Sequence, residues 1–151
     1  MNRHLSMATV FVAGLLSAST AAQQPDDTEL RAIGIGVSDL ARSEAFYASV
    51  LGMQRVREYK LEALDEIVMA LPGHATPVVV LMHWHDGKAR ALSEDNVKLV
   101  FNVRDAAAVI DRIRSAGGRI DREATPIEVL NGQIVGLGRD PDGYVIELLQ
   151  R

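Results

Sequence analysis

Cysteine is missing from all 151 residues. Its absence excludes disulfides, thiolate metal sites, a cysteine nucleophile and a lipidated N-terminal cysteine. A basic cluster is missing too: 16 Lys and Arg stand against 20 Asp and Glu, a formal net charge of −4. That balance argues against nucleic acid as a partner, because such binding needs a positive footprint. The apolar stretch at residues 5–16 is too short for a bilayer-spanning helix, which needs roughly 20 residues.

What is present fits one soluble globular domain. The chain is 48% hydrophobic and 24% charged, and its length supports a real core. The N-terminus stands apart. Arg3 supplies a short positive region, residues 5–16 an apolar region, and residues 17–22 the small side chains of a cleavage site. This is the pattern of a secretory signal peptide over residues 1–22, with cleavage expected after Ala22 and Ala21 as the alternative. Residues 23–29 read as a polar leader. The mature protein is therefore expected to be periplasmic or secreted, with no stable membrane association after processing.

The rest of the chain alternates strand and helix signals. In the first strand Ile33, Ile35 and Val37 share one face, with Ala32, Gly34 and Gly36 on the other. Ser38-Asp39 offers an N-cap, residues 40–51 read as a helix, and Gly52 ends it. Strands are expected at 54–61, 66–71 and 77–85. Residues 86–96 are charged and aperiodic and read as a linker. The pattern then restarts: a strand at 97–103, Asp105 as cap, a helix at 106–116, and Gly117-Gly118 as its stop. A short strand near 119–121, a loop with Pro126, and strands at 133–139 and 144–149 complete it.

The two halves superpose at an offset of 66 residues, which lays Val37 on Val103, Asp39 on Asp105 and Gly52 on Gly118. The same shift lays residues 78–82 on 144–148. Caps, stops and the last strand agree at one shift, so the chain is read as an internal repeat. The fold expectation is α+β: two βαβββ modules, residues 30–85 and 97–151, in one domain.

Several segments resemble the vicinal oxygen chelate superfamily, which includes glyoxalase I, bleomycin- and fosfomycin-resistance proteins and extradiol dioxygenases. They are Val37-Ser38-Asp39-Leu40, Phe46-Tyr47, Val50-Leu51-Gly52-Met53, Ala116-Gly117-Gly118 and Asp140-Pro141-Asp142-Gly143-Tyr144-Val145-Ile146-Glu147-Leu148. The resemblance covers essentially all of the chain after residue 29. It implies a glyoxalase-like fold of sheets curled round a cleft, commonly in a homodimer, and a divalent metal held by residues of strands one, four, five and eight. Those positions fall here on Ala32, Leu81, Lys98 and Glu147. Alanine and leucine cannot ligate, and a lysine ammonium offers no lone pair.

One carboxylate does not make a catalytic metal site, so the expectation is no metal in the usual place. Strand parity puts Lys98, Val100 and Asn102 in the cleft, and Glu147 with Val145 and Leu149. Two readings stand. Lys98 and Glu147 bind a small, anionic organic ligand together with Asn102, Ala32 and Leu81, or they form a structural ion pair that plugs the cleft. The enzyme alternative is a divalent metal at a displaced site made by His83, His85 and Glu147, for a lyase or dioxygenase. Its rival is that the two histidines end a strand in solvent. His74 reads as an exposed turn residue. Gly34 and Gly36 are expected to leave room on the first strand.

Overall fold

The computed structural model describes residues 30–73, 78–88 and 97–151. The expected signal peptide, the leader, His74 and residues 89–96 of the linker lie outside the described residues. In the first module β1 (Ile33–Gly36), α1 (Leu40–Leu51), β2 (Gln54–Lys60), β3 (Leu64–Ala70) and β4 (Val79–Trp84) follow one another. The second repeats the order with β5 (Lys98–Val103), α2 (Ala106–Ser115), β6 (Ile120–Ile127), β7 (Gln133–Arg139) and β8 (Val145–Gln150). A 3₁₀ turn, Glu128–Leu130, joins β6 to β7.

Each module is a four-stranded mixed sheet, ordered β1-β4-β3-β2 and β5-β8-β7-β6. In each, the first strand runs parallel to the last and the remaining pairs are antiparallel. The expected α+β architecture of two βαβββ modules is therefore present. Both helices start where a carboxylate can cap them: Asp39 accepts from the Arg42 amide and Asp105 from the Ala108 amide. Gly52 ends α1 in the left-handed region at φ 68°, a conformation that costs a side-chain-bearing residue 1–2 kcal/mol or so.

The repeat is less uniform than the sequence reading has it. Val37 and Val103, with the two caps, do lie 66 residues apart. The left-handed glycine after α2 is Gly117 and not Gly118. At the last strands the spacing changes again: Ile33 pairs with Val79, whereas its counterpart Leu99 pairs with Ile146. β8 is therefore shifted by one residue against β4 relative to the assumed repeat. Because side chains alternate along a strand, a one-residue shift moves every residue to the opposite face.

β6 is longer than expected and contains Pro126. It is an edge strand with two register irregularities, and an edge tolerates a residue that cannot donate to the ladder. Gly118, Gly136 and Gly138 serve packing. A Cβ on Gly118 would lie 2.6 Å from the Arg139 carbonyl oxygen, and one on Gly138 would lie 2.7 Å from Ile113 Cδ1. α2 can therefore approach its sheet closely.

The core lies between the helices and one face of each sheet. Ile35, Val37, Val79 and Leu81 from the first sheet meet α1, and Leu99, Phe101, Ile146 and Leu148 from the second meet α2. The modules are tied to each other by side chains. The Tyr47 hydroxyl, on α1, donates to Asp140 Oδ2 at 2.9 Å, with both residues buried. Asp140 Oδ1 accepts from the Asp142 and Tyr144 amides. Asp142 in turn accepts from the Ser38 amide and hydroxyl, the Ser43 hydroxyl and the Arg42 guanidinium. Arg112 of α2 reaches back to the Val50 carbonyl at 2.8 Å.

Burial raises the Asp140 carboxyl above its ordinary value, although the Tyr47 hydroxyl and two amides oppose the shift. Burial and then the neighbouring Asp140 charge push the Tyr47 phenol well up, so it stays a donor. Tyr47→Phe strips a buried acceptor of its donor. It should cost about 1–3 kcal/mol in urea unfolding. The Asp140 shift also predicts a pH dependence. Between the ordinary carboxylate value and the raised one, the folded protein binds a proton that the unfolded chain has released. Stability contributed by Asp140 is therefore complete at low pH and lost as pH rises through that window. Asp140→Asn cannot titrate. The stability gap between wild type and Asp140→Asn should widen as pH falls from neutral toward the acid range, measured by urea midpoints at several pH values.

Candidate functional site

Each sheet has one face on its helix and one face turned away from it. Burial shows which is which. On β5, Leu99 and Phe101 are buried, while Lys98, Val100 and Asn102 are exposed, as the alternation predicts. On β8, Ile146 and Leu148 are buried, which leaves Val145, Glu147 and Leu149 on the face turned away. Lys98 Nζ and Glu147 Oε2 meet there at 2.7 Å. The lysine side chain is 49% exposed and the glutamate side chain 19%. Glu147 lies between Val100 on β5 and Leu137 on β7, with Arg122 of β6 beyond. Asn102 pairs with Leu149, one pleat along. Lys98, Glu147 and Asn102 thus share one face.

Ala32 and Leu81 do not join them. Leu81 is 0% exposed and belongs to the core. The one-residue shift of β8 makes Val80 the counterpart of Glu147, since Gly34 pairs with Val80 as Val100 pairs with Glu147. Burial energetics enforce this orientation. Turning β4 over would expose Val79 and Leu81, at about 1.5–3 kcal/mol each. Ala32 lies on the first sheet, in a hollow lined by first-module residues.

His83 and His85 are not brought to Glu147. His83 shares the parity of Val79 and Leu81, which is the helix face, and its Nδ1 lies 3.1 Å from the Val37 carbonyl. His85 Nδ1 lies 3.2 Å from the Glu62 carbonyl, and its Nε2 3.1 Å from Asp65 Oδ1. Among the described residues no three His, Asp or Glu side chains come together in a metal-binding group. The displaced site expected at His83, His85 and Glu147 is therefore not assembled. The room expected beside Gly34 is also filled, because a Cβ there would meet Met82 Cε at 3.0 Å.

The face of the first sheet turned away from its helix carries residues the sequence reading did not assign. The hollow there has a volume of about 420 Å³ and is lined by Arg31, Ala32, Val56, Arg57, Tyr59, Val68 and Val80. Arg57 Nη1 donates to the Tyr59 hydroxyl at 3.3 Å, and its guanidinium carbon sits 6.0 Å from the Tyr59 ring centre. Glu66 lies opposite Tyr59 and Met82 on the same face. Two things hid these residues. Residues 78–82 are apolar on both faces, so their parity is unreadable from sequence. β2 also carries an irregularity between Arg55 and Arg57 that interrupts its alternation.

Comparison with known proteins agrees with this geometry. Residues 29–148 match the family model of the Glyoxalase/Bleomycin resistance protein/Dioxygenase superfamily. A lactoylglutathione lyase of Salmonella typhimurium is 34% identical over 121 residues, covering 76% of this chain and 86% of that protein. One from Escherichia coli O157:H7 is 32% identical over 119 residues, covering 76% of this chain and 86% of that protein. Among solved structures, a maize (Zea mays) glyoxalase I mutant superposes with a TM-score of 0.70 at 24% identity, over 80% of this chain and 44% of that one. An antibiotic-binding protein from Streptomyces superposes with a TM-score of 0.65 at 20% identity, over 83% of this chain and 98% of that one. The chain belongs to the Glyoxalase/Bleomycin resistance protein/Dioxygenase superfamily.

Proposed function

We propose that this protein is exported and binds a small organic molecule on the sheet faces turned away from its helices, without a divalent metal at Glu147. The observation that carries the reading is the Lys98–Glu147 pair at 2.7 Å. The family resemblance puts metal ligands at Ala32, Lys98, Glu147 and, once the register is corrected, Val80. Those side chains do not fit a divalent ion. Two are apolar, and the third is a cation already hydrogen-bonded to the single carboxylate. An ammonium held there neutralises Glu147 and keeps donors for a ligand oxygen. Two copies are expected to pair, as the family resemblance implies.

The names of the relatives favour a second reading, a lyase, which the family resemblance implies would use a divalent metal. One experiment separates the two. Nickel or cobalt is titrated calorimetrically into metal-free wild type and Glu147→Gln, and lactoylglutathione lyase activity is assayed in both directions, formation and cleavage of the thioester, with each metal present. The proposed reading expects no stoichiometric binding that depends on Glu147 and no turnover. Tight one-to-one binding lost in Glu147→Gln, with turnover, would establish the lyase.

Export rests on Arg3, the apolar residues 5–16 and the small residues 17–22. Protein recovered from the exported fraction is expected to begin at Gln23, or at Ala22, by N-terminal sequencing. A cytoplasmic protein retaining Met1 would contradict it.

A further inference from the structure

The hollow on the first sheet differs in chemistry from the Lys98–Glu147 face. Its floor is apolar: Ala32, Val68 and Val80, with Val56 beside them. Two guanidiniums stand at its margin, Arg31, which has a partner of its own, and Arg57, which is held by the Tyr59 hydroxyl and ring. Among the described residues Arg57 has no carboxylate partner. Arg55, on the same strand, pairs with both Glu44 and Glu58. An arginine is a planar fork that matches a carboxylate with two parallel hydrogen bonds. Next to an apolar floor such bonds are stronger than in open water. A hollow of about 420 Å³ is within the usual range for small-molecule sites.

We propose that this hollow binds the ligand through its carboxylate, and that the ligand is an aromatic monocarboxylate. Arg57 takes the carboxylate, Tyr59 lies beside it, and the flat apolar body lies on Ala32, Val68 and Val80. Lys98 is the weaker anchor for that charge because Glu147 already neutralises it. Glu66 sets an upper limit on the ligand's charge. It lies on the same face, two residues along β3 from Val68 and opposite Tyr59, with no cation paired to it among the described residues. A second carboxylate on the ligand would face it, so monoanions are preferred to dianions. The inference rests on the small-molecule reading and adds the ligand's chemical class and its anchoring residue.

The test uses the processed full chain, with calorimetric titration of 2-naphthoate, the neutral 2-naphthalenemethanol and 2,6-naphthalenedicarboxylate. Wild type, Arg57→Met and Arg57→Lys are compared, with circular dichroism as the folding check. Arg57 is exposed on an edge strand, so its variants should fold. Losing a charge-assisted fork should weaken 2-naphthoate by about tenfold or more in Arg57→Met. The neutral alcohol should change little, and Arg57→Lys should restore part of the affinity. The dicarboxylate should bind more weakly than 2-naphthoate. The proposal is overturned if Arg57→Met binds 2-naphthoate as wild type does. It is also overturned if the wild type prefers the alcohol; in that case the small-molecule reading survives. If none of the three probes binds, both fall.

Discussion

The turn Asp140-Pro141-Asp142-Gly143 holds the two modules in register. Its two carboxylates reach out of the second module into the first. Asp140 receives the Tyr47 hydroxyl inside the core, and Asp142 gathers Ser38, Arg42 and Ser43 at the start of α1. A buried carboxylate is costly unless its oxygens are satisfied. Here three hydrogen bonds satisfy Asp140 and fix the turn to one helix. Since β8 leaves this turn directly, the position of Glu147 depends on the same contacts.

From that anchoring the site follows by alternation. Ile146 and Leu148 must face α2, so Glu147 must face away from it. Val79 and Leu81 must face α1, so Val80 and Met82 line the other side and His83 returns to the helix side. The hydrophobic demand of the core thus decides which polar groups can meet. It brings Lys98 to Glu147 and keeps both histidines away. The two faces turned away from the helices differ in charge as a result. One presents a self-neutralised ion pair, and the other a guanidinium stacked beside a tyrosine.

Much of this was legible in the residues. Asp39 and Asp105 as caps, Gly52 as a stop, the bounds of α1 and β7, and the parity of β5 all follow from local chemistry, and the structure has them. The Lys98–Glu147 contact was legible too, because both strands carry a clear apolar face. Leu81 and the displaced histidine site are misplaced for two physical reasons. A repeat offset taken as constant hides a one-residue shift, and β4 is too uniformly apolar to reveal which face is buried. Arg57 and Tyr59 left no sequence signal, because the irregularity in β2 interrupts the alternation that would have grouped them. β6 was cut short because Pro126 reads as a breaker unless the strand is known to be an edge.

The central claim is that Glu147 is held by Lys98 and not by a metal. The most direct measurement is anomalous diffraction from crystals of the protein grown with excess nickel. The account predicts Lys98 Nζ within hydrogen-bond distance of Glu147 and no anomalous peak at that carboxylate. A nickel peak coordinated by Glu147, with Lys98 swung away, would contradict it.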